Sequence, residues 1–212
     1  MSNPFHFYTE HHLIKLLGLK ARNPAELLDG IKKVPQSSIY YHTHRFLQQH
    51  FYLSPEPPND FAYWFTNVLN LGDLGEAFAS VDTVEFRSME ALRNKFIDIL
   101  EGYTAKNPVV CPDGQEFYFM ACKTFILPTQ YVAQNLEEFA EMLAGTSVSS
   151  LYFHIFEARM RLGRDESDFE AWFKSLGADT LAKELSRLDP YTITLEGLRE
   201  KIIKMVRKYA EH

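Results

Sequence analysis

The sequence predicts a mainly α-helical protein of the α+β class that consists of two tandem homologous repeats. One observation behind this prediction is a pattern that occurs twice, since Ser37–His42 (SSIYYH) returns as Ser149–His154 (SSLYFH). Another is that an aromatic run typical of a β-strand precedes each copy, at Phe5–Tyr8 and at Phe117–Met120. We therefore expect about five helices behind a small N-terminal β element in each repeat, and a pseudo-twofold axis that relates the repeats.

The similarity between the halves extends beyond these stretches. Asp60–Phe65 is matched by Asp168–Phe173, and Glu90–Lys95 is matched by Glu196–Lys201. Two prolines and an Asp-Gly pair between the halves are typical of an exposed boundary. The pattern predicts three segments, namely repeat 1 at 1–106, a linker at 107–113 and repeat 2 at 114–212.

A second apolar run follows the aromatic run in each repeat, at Leu13–Leu19 and at Thr124–Leu127. Two short runs so close together predict a short β-hairpin at the start of each repeat. A helix over residues 10–20 is the alternative for the first repeat. In the second repeat, Pro128 restricts the run to an edge strand or a bulge, because proline has no backbone N–H to donate.

Capping residues mark the start of the first two helices of each repeat. The first helix begins after Asn23 or Asn135, each of which has a Glu three positions later, and it should end near Lys33 or Ala144. The second helix contains the pattern that occurs twice. We expect its N-cap to be a serine of that pattern: Ser37 or Ser38 in the first copy, and Ser149 or Ser150 in the second.

Three further helices complete each repeat. We expect them to start at Asp60, Asp73 and Ser88 in the first repeat, and at Asp168, Asp179 and Thr194 in the second. Trp64 and Trp172 lie on apolar helix faces and are expected to be structural core residues, as are the partners Asp60 and Asp168 discussed below. A Pro-rich stretch at residues 53–59 occurs in the first repeat alone, and the sequence assigns it no role.

Composition and charge narrow the possible functions. A net charge of −6 over 212 residues argues against a non-specific nucleic-acid surface. The two cysteines, Cys111 and Cys122, match no metal motif and fit a reducing compartment. The start resembles no signal peptide, and no stretch reaches the roughly 18 apolar residues of a membrane span. We expect a soluble cytoplasmic protein with no membrane or nucleic-acid partner, whose oligomeric state the sequence does not specify.

Three strings in the sequence resemble an uncharacterised family. SSIYYHTHRFL at 37–47, SSLYFHIFEAR at 149–159 and PNDFAYW at 58–64 are similar to a bacterial and archaeal family of tandemly duplicated domains of unknown function. The resemblance covers nearly the whole chain. It implies a natural, stand-alone soluble protein and supplies no catalytic residues, because no activity is associated with that family.

His42 and His154 are the histidines that the two repeats share in register, and they are therefore the candidate catalytic residues. If they met at the pseudo-axis, their imidazoles would serve as acid and base or bind an anion. The alternative is that both are buried, hydrogen-bonded core residues, because each shares a helix face with apolar neighbours. Asp60 and Asp168 are the candidate hydrogen-bond partners in that case.

Four residues on or beside the same helices are candidate ligand-binding residues: Tyr41, Arg45, Glu157 and Arg161. The eight histidines show no His-x-x-x-His spacing, and no Gly-rich phosphate loop occurs, so we expect neither a metal nor a cofactor.

The sequence therefore favours a non-catalytic module that binds an unknown small molecule or protein at the junction of the two repeats. The alternative is a small hydrolase or transferase that uses a histidine-centred acid/base site at the same junction. The lack of a catalytic motif favours the first hypothesis, and the sequence does not decide whether the protein is an enzyme.

Overall fold

The structure is a computed structural model that describes residues 3–46, 58–103, 109–158, 166–188 and 194–210. It is mainly helical with one two-stranded sheet, as expected for the α+β class. Most of the Pro-rich stretch at residues 53–59 and the start of the expected linker at 107–113 lie outside the described residues. Within the described residues, none of the helices is both long and apolar enough to cross a membrane.

The elements occur in the same order in the two halves of the chain. The first half contains β1 (Phe5–Ala21), α1 (Pro24–Lys33), α2 (Gln36–Tyr40), α3 (Asp60–Asn67), α4 (Gly72–Ala79) and α5 (Met89–Gly102). The second half contains β2 (Phe117–Ala133), α6 (Leu136–Gly145), α7 (Val148–Tyr152), α8 (Asp168–Ser175), α9 (Asp179–Leu185) and α10 (Leu195–Ala210). Helices α2 and α7 continue as π-helical segments, Tyr41–Arg45 and Phe153–Glu157, and a 3₁₀ turn covers Thr83–Glu85.

The predicted hairpins are wrong. Each predicted pair of short strands is one continuous strand of 17 residues, and β1 pairs with β2 rather than within its own half. The pairing is antiparallel, since Thr129 Oγ1 donates to the Phe7 carbonyl (2.7 Å) and Lys20 meets Glu116 (2.9 Å). The apolar runs do form extended structure, but periodicity does not reveal a strand partner that lies a hundred residues away. Pro128 lies in an exposed part of β2, which is compatible with an edge strand.

The chain forms two compact units, and the boundary between them falls inside both strands. Unit 1 comprises Met1–His11 with Thr124–His212, and unit 2 comprises His12–Lys123. Among the described residues, each unit thus contains five α-helices and part of each strand. The repeats 1–106 and 114–212 are defined by sequence similarity rather than by compactness, and they stay a prediction.

The predicted helix starts are confirmed at the Asn caps and in the later helices. Asn23 and Asn135 accept the backbone N–H of the Glu three positions later, each at 2.9 Å. Helices α3 and α8 begin at Asp60 and Asp168 as expected. Ser88 accepts the N–H of Ala91 (3.1 Å) and caps α5. Local capping chemistry therefore marks these helix starts in the sequence.

The predicted caps of α2 and α7 are wrong. Pro35 precedes α2 without a side-chain cap, and Ser147, two residues earlier than expected, caps α7 through the N–H of Ser150 (3.1 Å). Ser38 and Ser150 lie inside their helices and are fully buried. The two-serine pattern thus belongs to a packed helix turn, where small side chains allow neighbouring elements to come close.

Aromatic rings dominate the core of each unit. In unit 2, Phe78 stacks on Phe96 with ring centroids 4.7 Å apart, and Phe61 stacks on Phe117 at 5.1 Å. In unit 1, Phe139 stacks on Trp172 at 5.3 Å. Such rings bury large apolar areas and prefer offset or edge-to-face packing.

Trp64 and Trp172 are buried at equivalent places and also hold the chain before a strand. The Trp64 Nε1–H donates to the carbonyl of Gln115, and the Trp172 Nε1–H donates to the carbonyl of Asn3, each at 2.9 Å. Each bond satisfies the polar edge of a buried indole. Each indole therefore holds in place the residues that lead into the adjacent strand.

Gly30→Ala should destabilise the protein, because a Cβ at Gly30 would overlap the tip of the buried Phe119 ring. Overpacking costs about 1–3 kcal/mol. Alanine regains roughly 1 kcal/mol through its higher helix propensity, so we expect a net loss of up to about 2 kcal/mol. Urea unfolding measures the difference. Gly72→Ala is the matched control, since nothing lies within 4 Å of its added Cβ. An equal response of the two variants would show that Phe119 does not restrict α1.

Candidate functional site

The candidate histidines lie in the two π-helical segments. Helix α2 widens into a π-helix at Tyr41–Arg45, which contains His42, and α7 does the same at Phe153–Glu157, which contains His154. A π-helical turn holds more residues than an α-helical turn and occurs frequently at functional sites. Because both helices contain such a turn, the two π-helical turns are candidate functional sites.

In unit 2, His42 is 1% exposed and both of its ring nitrogens have protein partners. Nδ1 lies 2.6 Å from Asp60 Oδ2, and Nε2 accepts the backbone N–H of Met120 in β2 at 3.0 Å. Because Nε2 accepts a hydrogen bond, the proton of the neutral ring lies on Nδ1 and is donated to Asp60. The ring of Phe117 covers the imidazole with centroids 4.6 Å apart.

In unit 1, His154 has the same arrangement with partners from different elements. Nδ1 lies 2.8 Å from Asp168 Oδ2, and Nε2 accepts the backbone N–H of Tyr8 in β1, also at 2.8 Å. The ring is 2% exposed. Phe5 and Phe169 pack against it with centroids 4.9 and 5.5 Å away.

The start of a helix positions each aspartate. Asp60 is the first residue of α3, after the Asn59 cap, and Asp168 is the first residue of α8, after a capping box formed by Ser167 and Glu170. A carboxylate in the first turn is favoured by the positive end of the helix dipole. It therefore remains a hydrogen-bond acceptor and keeps the imidazole in the tautomer that can receive the strand N–H.

Each histidine satisfies an edge of the sheet. Because the sheet has two strands, a strand N–H that is bonded to a side chain points away from the neighbouring strand. His42 takes this role for β2 at Met120, and His154 takes it for β1 at Tyr8. The imidazole thus accepts the hydrogen bond that a third strand would otherwise accept. Each histidine side chain lies on a π-helical turn and is hydrogen-bonded both to a helix start and to a strand.

This geometry leaves neither nitrogen available to a substrate. A general base needs a free lone pair within hydrogen-bond reach of the proton that it removes. In both histidines the Nε2 lone pair is directed at a backbone N–H, and Nδ1 is directed at a carboxylate. The arrangement therefore supports the core hypothesis for His42 and His154, and Asp60 and Asp168 occupy the partner positions.

Two of the candidate ligand-binding residues lie in unit 2, one lies in unit 1, and one lies outside the described residues. Tyr41 is half-buried beside Asp60, and burial, followed by the Asp60 charge, raises the pKa of its phenol. Arg45 lies in the same π-helical turn, and its charge partly opposes this rise. Glu157 is buried at the end of the other π-helical segment, in unit 1. Arg161 lies outside the described residues.

A third buried histidine, His44, was not singled out from the sequence. Its ring stacks on Tyr40 with centroids 5.6 Å apart and an angle of 10° between the planes, and its Nδ1 lies 3.1 Å from Thr43 Oγ1. Burial lowers the pKa of His44 to about 4. The corresponding position of the second half carries Phe156, which is a sign in the sequence that this side chain occupies an apolar place.

In the part of the chain that the structure describes, no three His, Cys, Asp or Glu side chains are grouped so that they could hold a metal ion.

Replacing either shared histidine by Leu should lower stability. His42→Leu leaves the Met120 N–H without an acceptor, and His154→Leu does the same for Tyr8. A buried unsatisfied donor and a lost bond to a carboxylate together cost about 2–4 kcal/mol. His42→Gln should lose less stability, since the side-chain carbonyl oxygen of glutamine can accept the Met120 N–H.

Guanidinium unfolding gives the change in stability, and amide exchange at Met120 and Tyr8 reports whether the edge contact is lost. His6→Leu is the control, because His6 lies on β1 but is exposed. Unchanged stability and unchanged exchange in the Leu variants would contradict the edge role.

His44 should make the protein less stable in mild acid. The folded-state pKa of about 4 lies below the unfolded value of about 6.5, so the unfolded chain binds the proton first. The contribution of neutral His44 is complete above pH 6.5, decreases as the pH falls toward 4, and amounts to about 3 kcal/mol in total.

His44→Phe, which introduces the residue of the second half, should remove this component of the pH dependence. The measurement is urea unfolding of both proteins between pH 4 and pH 8 at constant ionic strength. Parallel pH profiles for the two proteins would show that His44 does not titrate in this way.

Comparison with known proteins places the chain in a family. A family model described as a family of unknown function (DUF5752) matches residues 2–207. The solved structure of OrfY from Thermoproteus tenax is similar, with a TM-score of 0.81 and 25% identity over 97% of this chain and 95% of that chain. No curated protein matches. Since the family model spans nearly the whole sequence, this chain belongs to DUF5752, a family of unknown function.

Proposed function

We propose that the protein is a non-catalytic binding module made of two homologous repeats, residues 1–106 and 114–212. In this proposal it binds a small molecule or another protein, and it acts in the cytoplasm. The observation that carries the proposal is the occupation of both nitrogens of His42 and of His154 by protein partners. The most promising acid/base residues of the sequence are thereby explained as parts of the scaffold.

The homology of the repeats is supported by contacts that occur twice. Each half has an Asn-capped helix after its strand, a π-helical turn with a histidine bonded to the next helix start, and a tryptophan bonded to a carbonyl before a strand. Independent origins would have to reproduce all of these contacts at matching places. A duplication accounts for them together.

A role in the cytoplasm is supported by the cysteines. Cys111 and Cys122 are both buried and form no disulfide, and burial is the main cause that raises the pKa of the Cys111 thiol. A raised thiol pKa lowers the thiolate fraction and with it the reactivity toward oxidants. Such cysteines behave as small apolar core residues in a reducing compartment.

The acid/base enzyme is the weaker hypothesis on this geometry. For His42 to act as a base, its ring would have to release the Met120 N–H and then turn out of a shell of aromatic rings. A position for the binding site at the junction of the repeats stays a prediction from sequence. Tyr41, Arg45 and Glu157 remain its candidate residues.

A ligand screen combined with histidine variants tests this proposal. A thermal-shift panel of metabolites and metal salts should reveal a stabilising ligand, since a ligand that binds the folded state raises the melting temperature. Calorimetry then compares its affinity for wild type, His42→Ala and His154→Ala at a temperature where all three are folded. We expect both variants to melt earlier and to keep the wild-type dissociation constant within about twofold.

Tyr63→Ala, a change at an exposed helix position, controls for non-specific effects. A variant of His42 or His154 that stays as stable as wild type but loses binding or turnover would reassign the site to these histidines. The proposal would also be wrong if wild type turned over a ligand of the panel, because a non-catalytic module does not consume its ligand.

A further inference from the structure

Unit 2 contains a cleft of about 380 Å³ between the start of α1, the end of α5 and the residues that lead toward β2. A hydrogen bond from the Cys111 N–H to the Arg22 carbonyl (2.8 Å) holds the latter residues beside the end of β1. The volume lies in the range of small-molecule pockets, which measure about 300–1,000 Å³. Six apolar residues form most of the wall: Pro24, Ala25, Leu28, Leu100, Val109 and Val110.

The other two lining residues are polar but uncharged. The side chain of Asn23 is committed to the cap of α1, since its Oδ1 accepts the Glu26 N–H (2.9 Å) and its Nδ2 donates to the Glu26 carboxylate (3.0 Å). Tyr103 is half-buried at the end of α5, and its hydroxyl forms no hydrogen bond with any residue that the structure describes. The cleft thus offers a ligand apolar contacts and one side-chain hydroxyl.

The tyrosine at the corresponding end of α10 has a partner of its own. The Tyr209 hydroxyl donates to the Glu184 carboxylate on α9 at 2.9 Å. In α4, the helix of unit 2 that matches α9, the residue at the same distance from the helix start is Ala77. Alanine has no side-chain acceptor, so the hydroxyl of Tyr103 is left without the contact that Tyr209 makes in unit 1.

We propose that this cleft binds a small, uncharged and mainly apolar organic molecule through one oxygen that is hydrogen-bonded to the Tyr103 hydroxyl. A water molecule takes up about 30 Å³ in the liquid, so the cleft has room for roughly a dozen non-hydrogen atoms. None of Tyr41, Arg45 and Glu157 lines the cleft, so this site does not depend on the predicted site at the junction of the repeats.

The surroundings of the cleft disfavour a charged ligand. None of the described residues that line it is charged, and a charge that leaves water without a partner is costly. An anion would also lie near the carboxylate of Glu26, which is bonded to Asn23. A cation gains little from that carboxylate, because its two oxygens already accept hydrogen bonds from Asn23 and from the Arg22 N–H (2.8 Å).

Apolar contact favours an uncharged ligand in this place. Val110 is 54% exposed, and Leu28 and Val109 are half-buried, so part of the apolar wall is in contact with water. A ligand that covers the wall removes this apolar surface from water. The phenol of Tyr103 then orients the ligand, because a hydroxyl can donate to a ligand oxygen or accept from it.

A matched series of aromatic probes tests the proposal on the full chain. Benzyl alcohol has the proposed chemistry, toluene lacks the oxygen, and benzoate and benzylammonium carry a charge. Amide chemical shifts around Leu28 and Leu100 should show saturable binding of benzyl alcohol with a dissociation constant of about 1 mM or lower. Benzoate and benzylammonium should bind about tenfold more weakly. An ion that binds as tightly as benzyl alcohol would overturn the uncharged ligand class.

Two variants locate the binding. Tyr103→Phe keeps the ring and removes the hydroxyl, so it should weaken benzyl alcohol by about threefold to tenfold and leave toluene unchanged. Ala25→Trp fills the cleft from an exposed position and should weaken both probes by about tenfold. Ala144→Trp is the matched control, because Ala144 is exposed on α6, the helix that corresponds to α1 in the second half.

The cleft is overturned as a site if wild type shows no saturable shifts, if the shifts lie elsewhere in the chain, or if Ala25→Trp binds as tightly as wild type. An equal loss of toluene and benzyl alcohol in Tyr103→Phe would overturn the role of the hydroxyl. None of these results contradicts the proposed binding function, since the thermal-shift panel tests it wherever on the chain a ligand binds.

Discussion

The structure depends on how a two-stranded sheet satisfies its outer backbone groups. A backbone N–H that is buried without an acceptor costs about as much as a lost hydrogen bond, and a two-stranded sheet leaves such groups on both sides. Here an imidazole accepts the Met120 N–H in unit 2, and another accepts the Tyr8 N–H in unit 1. A histidine suits this role because it accepts at one nitrogen while it donates at the other.

Several other features follow from that requirement. The imidazole has to present Nε2 as an acceptor, so an aspartate receives the proton on Nδ1, and the helix start favours the charged carboxylate. Aromatic rings then exclude water from the contact, which strengthens its hydrogen bonds in a low-dielectric surrounding. The π-helical turn places the imidazole ring between the backbone N–H of the strand and the aspartate at the helix start. The shared widening of α2 and α7 is thus explained by the contact without reference to a ligand.

The sequence predicted local features more successfully than distant ones. The Asn caps and the helix starts at Asp60 and Asp168 depend on neighbouring residues, and they could be predicted from spacing alone. The pairing of β1 with β2 could not, because apolar periodicity reports that a segment is extended without specifying its partner. The serines at 38 and 150 were mistaken for caps because serine is favoured at a cap and is also small enough for a packed turn. The histidines were chosen from their repetition, whereas their strand partners depend on the pairing that periodicity does not reveal.

The positions where the halves differ carry more information about function than the positions that they share. If the repeats are homologous, as we propose, a contact kept in both halves is one that the fold itself requires, and the histidine, the aspartate and the tryptophan are of this kind. The π-helical turns differ around that shared core, with Tyr41, His44 and Arg45 in one and Phe153, Phe156 and Glu157 in the other. These positions can differ between the halves, because His42 accepts the Met120 N–H and His154 accepts the Tyr8 N–H in their place. A site specific to one repeat would therefore be built from the residues that differ between the halves. The residues that the halves share would maintain the scaffold on which it is built.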